Sequence, residues 1–98
     1  MARYDVYRAP LTGYLLDVQS PFLGSLGTTV VIPLLLASST PRAIERLHPL
    51  IEVDGEQHVL STHLISAVPD TLLTVPAGNL SASHDDIVAA LDMLFQGF

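Results

Sequence analysis

The chain has no cysteine, no tryptophan and no lysine. Without cysteine there is no disulfide framework, no thiolate metal site and no thiol nucleophile. Its four fixed cations are Arg3, Arg8, Arg42 and Arg46, set against 10 carboxylates, for a net charge of −6. A protein that tracks phosphates needs a field of Lys and Arg. The balance therefore argues against nucleic acid as the main ligand, and equally against an anionic membrane surface. Long hydrophobic runs are also missing. The longest, Val30 to Ala37, is eight residues and contains Pro33, where about 20 are needed to span a bilayer. The segment Met1 to Arg8 has no continuous apolar stretch of the kind a secretory signal requires. No repeat and no low-complexity tract occurs. These absences predict a soluble, cytoplasmic protein that does not engage membranes.

What is present is apolar. Of 98 residues, 49% are hydrophobic and 14% charged. The length predicts one domain over residues 1–98. A chain of this size buries only about 60–65% of the surface its unfolded form exposes. The apolar excess therefore points to self-association or to a partner groove.

Strand signals fill the first three quarters. Tyr4 to Arg8 alternates, with Tyr4 and Val6 on one face and Asp5 and Tyr7 on the other. Residues 9–13 carry Pro and Gly turn chemistry. Tyr14 to Gln19 alternates again, with Tyr14, Leu16 and Val18 opposite Asp17 and Gln19. Ser20 to Gly27 reads as a loop that carries Phe22 and Leu23. Thr28 to Leu36 reads as the most buried strand, with Pro33 confined to an edge, bulge or bend because it cannot donate to a ladder. Arg42 to Leu47 fits one helical turn. Leu50 to Val53 and Gln57 to Leu60 flank Asp54-Gly55, which suits a tight type I′ hairpin. Leu64 to Val68 and Leu72 to Val75 fit two further strands. Ser83 is placed as a helix N-cap, with Asp86 three residues on as in a capping box. Ile87, Leu91, Leu94, Phe95 and Phe98 then form one apolar stripe. The expected fold is mainly β with one C-terminal α-helix, a small SH3-like barrel or bent antiparallel sheet.

Chemistry is sparse in the sequence. His48, His58, His63 and His84 show no metal-ligand spacing. Asp85-Asp86 is explained by helix capping. No nucleophile elbow, P-loop or dinucleotide motif occurs. These residues predict no catalytic group, no metal and no cofactor, and hence a protein that is not an enzyme. Two apolar clusters stand out instead. One is Phe22-Leu23 between Pro and Gly. The other is the end of the chain, Leu94 to Phe98.

The same segments, in order, resemble the CcdB family of plasmid and chromosomal toxins. The resemblance rests on Tyr4-Asp5-Val6-Tyr7, Asp17-Val18-Gln19-Ser20, Val30 to Leu34, Leu47-His48-Pro49, Ala67-Val68-Pro69 and the tail from Leu91 to Phe98. It implies a homodimer with an SH3-like sheet and a terminal helix. It implies a type II toxin that binds the DNA gyrase A subunit and traps the gyrase–DNA cleavage complex. It further implies a role in plasmid maintenance and a cognate CcdA-like antitoxin that removes the toxin. Toxin and antitoxin together would repress their own operon, with DNA met only through the antitoxin. The gyrase-binding positions carried over are Phe22, Leu23, Asp92, Phe95, Gln96, Gly97 and Phe98. The chain departs from the family's best-known pattern by Gln96 in place of Trp, Asp92 in place of Asn and Phe98 in place of Ile. A MazF-type endoribonuclease shares the expected fold, but its RNA groove needs basic residues and an acid/base pair, for which four arginines are few. An inert homologue that only titrates antitoxin is the remaining alternative.

Overall fold

The computed structural model describes residues 2–9 and 13–98, so positions 10–12 of the expected first turn lie outside the described residues. The strands are β1 (Asp5–Arg8), β2 (Tyr14–Asp17), β3 (Thr28–Leu36), β4 (Leu50–Val53), β5 (Glu56–Leu60), β6 (Ser66–Pro69) and β7 (Gly78–Asn79), followed by helix α1 (His84–Gln96). Every pairing is antiparallel. The strand order is β4-β5-β3-β2-β1-β7, with β6 on the remaining half of β3. The result is an SH3-like half-barrel with one C-terminal helix.

Strand alternation places two apolar sets on opposite faces. Val6, Tyr14, Leu16, Ile32, Leu34 and Leu60 form the main core with Ile87 and Ala90 of α1. Tyr7, Val31 and Leu73 form a smaller one, joined by Leu15 and Val68. Each fully buried Leu or Ile contributes about 1.5–3 kcal/mol. The larger face therefore carries most of the stabilisation.

Pro33 sits in the middle of β3, opposite Leu15 of β2. It is tolerated there because β3 changes partner on its other side. Pairing with β6 ends at Val31 and pairing with β5 begins at Leu34. The Pro33 carbonyl accepts from the Ser61 N–H at 2.9 Å, so the missing N–H falls in the gap between two partners. Asp54 and Gly55 have φ of 54° and 81°, as the type I′ turn requires. Gly13 (φ +70°) lies so close to β3 that a Cβ there would stand 2.1 Å from the Leu34 carbonyl oxygen.

Several expectations are corrected. Leu72 to Val75 is not a strand. Asp70–Leu72 forms a 3-10 turn closed by Leu73 N–H to Asp70 O at 2.9 Å, Leu73 alone turns inward and Val75 is exposed, so the turn takes up the first residue of the expected strand, and Pro76, with no N–H for a ladder, follows its last. The last strand is instead Gly78–Asn79, which has no side-chain preference for a sheet. Its backbone completes the edge through Ala77 N–H to Val6 O (2.6 Å) and Leu80 N–H to Tyr4 O (2.8 Å). The strand expected over Leu64 to Val68 begins later, at Ser66, after a 3-10 turn at Thr62–Leu64. Arg42 to Leu47 holds one helical bond only, His48 N–H to Ile44 O at 2.8 Å. Ser83 makes no side-chain cap. A 3-10 turn, Ser81–Ser83, runs straight into the helix, so backbone carbonyls satisfy the first amides. The helix stripe is covered only in its first half. Ile87 and Ala90 are buried, Leu91 and Leu94 half-buried, and Phe95 and Phe98 stand in solvent. Among the described residues no helix is long and apolar enough to cross a membrane.

Candidate functional site

The β2–β3 loop is ordered by its own polar groups. The Ser20 hydroxyl accepts from the Phe22 N–H at 3.3 Å. Pro21–Leu23 forms a 3-10 turn closed by Gly24 N–H to Pro21 O. Gln19 spans the base of the loop. Its Nε2 donates to Leu23 O (3.1 Å) and Thr28 O (3.3 Å), and its Oε1 accepts from the Val30 N–H (3.1 Å). A braced backbone thus holds out Phe22, which is 97% exposed, together with Leu23 and Leu26. Holding a large apolar ring in water is unfavourable, and the loop offers it no partner within the fold. Sequence reasoning missed Leu26 and the Gln19 brace. Gln two residues before a Pro-Phe-Leu-Gly turn carries no recognisable signal.

The second group is the end of α1. Gly97 adopts φ 81° and its N–H returns to Met93 O at 3.1 Å, a left-handed helix cap. This cap fixes where Phe98 leaves the helix. Phe95 is 71% and Phe98 69% exposed. Gln96 and Gly97 are also exposed, while Asp92 is half-buried. Among the described residues no hydrogen bond or ring contact joins this tip to the β2–β3 loop. Each group presents bare apolar area on its own.

Two polar clusters lie elsewhere. The first, where β3 meets the end of β6, joins Thr29 and Asp70 through a 2.6 Å bond from the Thr29 hydroxyl. Buried Asp17 and Tyr7 come from neighbouring strands. Burial raises the Asp17 carboxyl above its ordinary value, the Gln19 N–H at 2.9 Å works against this, and Asp5 and Asp70 add to the rise. Burial, Asp5 and Asp17 likewise raise the Tyr7 hydroxyl. The second cluster is His48 and His63, whose Nε2 and Nδ1 lie 2.9 Å apart. Burial, then His63, then Arg42 lower the His48 imidazole below its ordinary value. The sequence places these histidines 15 residues apart, a separation no spacing rule connects. Among the described residues no group of three or more His, Cys, Asp or Glu could hold a metal ion.

Comparison with known proteins gives a family and a fold. The sequence model of the CcdB protein family matches residues 3–97. An endoribonuclease in complex with its cognate antitoxin, from a mycobacterial species, is 19% identical, with a TM-score of 0.74 over 95% of this chain and 92% of that one. An endoribonuclease from a mycobacterial species is 21% identical, with a TM-score of 0.75 over 95% of this chain and 88% of that one. These likenesses correct the expectation that the chain is not an enzyme. The fold it adopts is one on which endoribonucleases are built. A contiguous catalytic motif is not required for acid–base chemistry, because a fold can bring an acid and a base together from separate segments.

Proposed function

The chain belongs to the CcdB family, and from that membership we propose that this toxin of a toxin–antitoxin system acts in the cytoplasm on the DNA gyrase A subunit. The observation that carries the reading is the pair of bare apolar groups, Phe22 on a braced loop and Phe95 with Phe98 on a capped helix end. Aromatic anchors that stay solvated in the free protein gain their burial only on a partner. Phe22, Leu23, Asp92, Phe95, Gln96, Gly97 and Phe98 are the proposed contacts, presented twice by a homodimer. A cognate antitoxin is the second partner, as in the related fold solved with one.

A second reading is RNA cleavage, favoured by the shared fold with two endoribonucleases. One experiment separates the two. Purified protein is incubated with gyrase and supercoiled plasmid, and in parallel with total RNA. Linear plasmid after denaturation and proteolysis supports gyrase trapping. RNA fragments without linear plasmid replace it with the second reading. Neither product leaves an antitoxin-binding homologue.

A further inference from the structure

His48 closes the loop that leads into β4 at three points. Its N–H donates to Ile44 O at 2.8 Å. Its Nδ1 accepts from the Ile44 N–H at 3.3 Å. Its carbonyl accepts from Arg42 Nε at 2.6 Å. The ring is buried, while His63 on the Thr62–Leu64 turn is exposed. The two rings meet edge to face, 4.8 Å apart at 75°. This loop also forms one wall of a groove of about 430 Å³, lined by Arg42, Glu45, Arg46, Pro49, Asp86 and Ala89 among others.

These bonds fix the proton positions. Because His48 Nδ1 accepts the Ile44 N–H, the neutral ring carries its proton on Nε2 and donates it to His63 Nδ1. His63 then carries its own proton on Nε2. No acceptor nitrogen remains free within the pair. A proton added to His48 Nδ1 meets the Ile44 N–H. A proton added to His63 Nδ1 meets the His48 Nε2–H. If His48 changes tautomer to accept from a charged His63, the Ile44 bond is again lost. The charges that bear on His48 are those of His63 and Arg42, both unfavourable to a further proton. Glu45 and Arg46 of the loop and Asp86 of α1 line the adjoining groove, and β4 presents Leu50 there.

We propose that the His48–His63 pair is a proton-operated latch on the Arg42 to Pro49 loop, which mild acid releases from Ile44, freeing the loop wall of the groove beside α1. This device is independent of the gyrase reading and involves none of its contact residues.

The test is amide hydrogen exchange by NMR on the full chain, between about pH 8 and about pH 5, the range in which histidines titrate. Rates are corrected for the intrinsic pH dependence. Protection at the Ile44 amide falls about tenfold or more toward acid, while Val59 in β5, paired with Leu35 of β3, stays protected. In His48→Asn, whose Oδ1 can stand where Nδ1 accepts but does not titrate, Ile44 protection becomes flat with pH. In His63→Asn the loss persists and moves to higher pH, since His48 loses a cationic neighbour. The proposal is overturned if Ile44 protection in the wild type is constant over this range, or if it falls only together with that of Val59. It is equally overturned if His63→Asn leaves the transition where it was.

Discussion

The Tyr4 hydroxyl and His84 Nδ1 lie 2.7 Å apart, joining the start of the sheet to the first residue of α1 across 80 residues of sequence. The two rings also meet edge to face at 5.5 Å. Tyr4 pays a backbone cost for this position, with φ at +71°. This long-range bond anchors the helix start where Ser83 makes no cap.

Tyr4→Phe keeps the ring and removes the bond. The expected loss is about 0.5–1.5 kcal/mol, read by urea denaturation. Ser83→Ala should change stability by less than about 0.5 kcal/mol, because no side-chain cap exists to lose. A larger effect of Ser83→Ala than of Tyr4→Phe would show that the helix start is held in another way.

Gly13→Ala tests the close approach of Gly13 to β3. The left-handed φ alone costs about 1–2 kcal/mol for a side chain. The new Cβ would also meet the Leu34 carbonyl at 2.1 Å, so Leu34 must leave its place in the core. The midpoint of thermal unfolding should drop by about 8 °C or more for a domain of this size. An unchanged midpoint would contradict this packing.

Removal of Gln96, Gly97 and Phe98 takes away exposed residues and the helix cap, but no core contact. Urea midpoints should move little, while binding to a gyrase A fragment, followed by calorimetry, should be lost. Phe95→Ala should act in the same direction, costing about 2 kcal/mol or more of binding if the ring is an anchor. Retained binding by both variants would move the recognition surface away from the helix tip.

Gln96 faces water, so Gln96→Trp should leave stability unchanged. A Trp face stacked on a target arginine is worth about 0.5–2 kcal/mol. Binding to the gyrase A fragment should tighten by about tenfold. Equal or weaker binding would mean that this position makes no stacking contact and that Phe95 and Phe98 carry the tip.

Asp17 and His48 pull the pH profile in opposite directions. The folded Asp17 carboxyl lies above its unfolded value, so the folded state binds the extra proton. Its stabilisation is complete below the unfolded pKa and is lost as pH rises through the folded one. Asp17→Asn keeps an oxygen for the Gln19 N–H and should raise the urea midpoint at neutral pH, with the gain vanishing in acid. His48 is lowered on folding, so its contribution is lost as pH falls below the ordinary histidine range. A pH series on wild type, Asp17→Asn and His48→Asn checks both signs.

Local chemistry alone determined much of this protein. The alternation that starts at Tyr14, the Asp54-Gly55 turn and the terminal helix are each dictated by neighbours within a few residues; the turn and the helix are found where the sequence puts them, and the strand expected over Tyr14 to Gln19 spans Tyr14–Asp17. The exposure of Phe22 was legible too, because Pro and Gly on either side leave no element to bury it. Only the tertiary structure decided the rest. Gly78–Asn79 becomes a strand because β1 has an open edge for its backbone, a fact no side chain records. Pro33 is accommodated because β3 trades β6 for β5 at that residue. Phe95 looks like a core residue by helical period but stands in solvent, while Ala90 on the same helix is buried. Period fixes which residues share a face. Which turns of that face are covered depends on what the remaining 80 or so residues place against it.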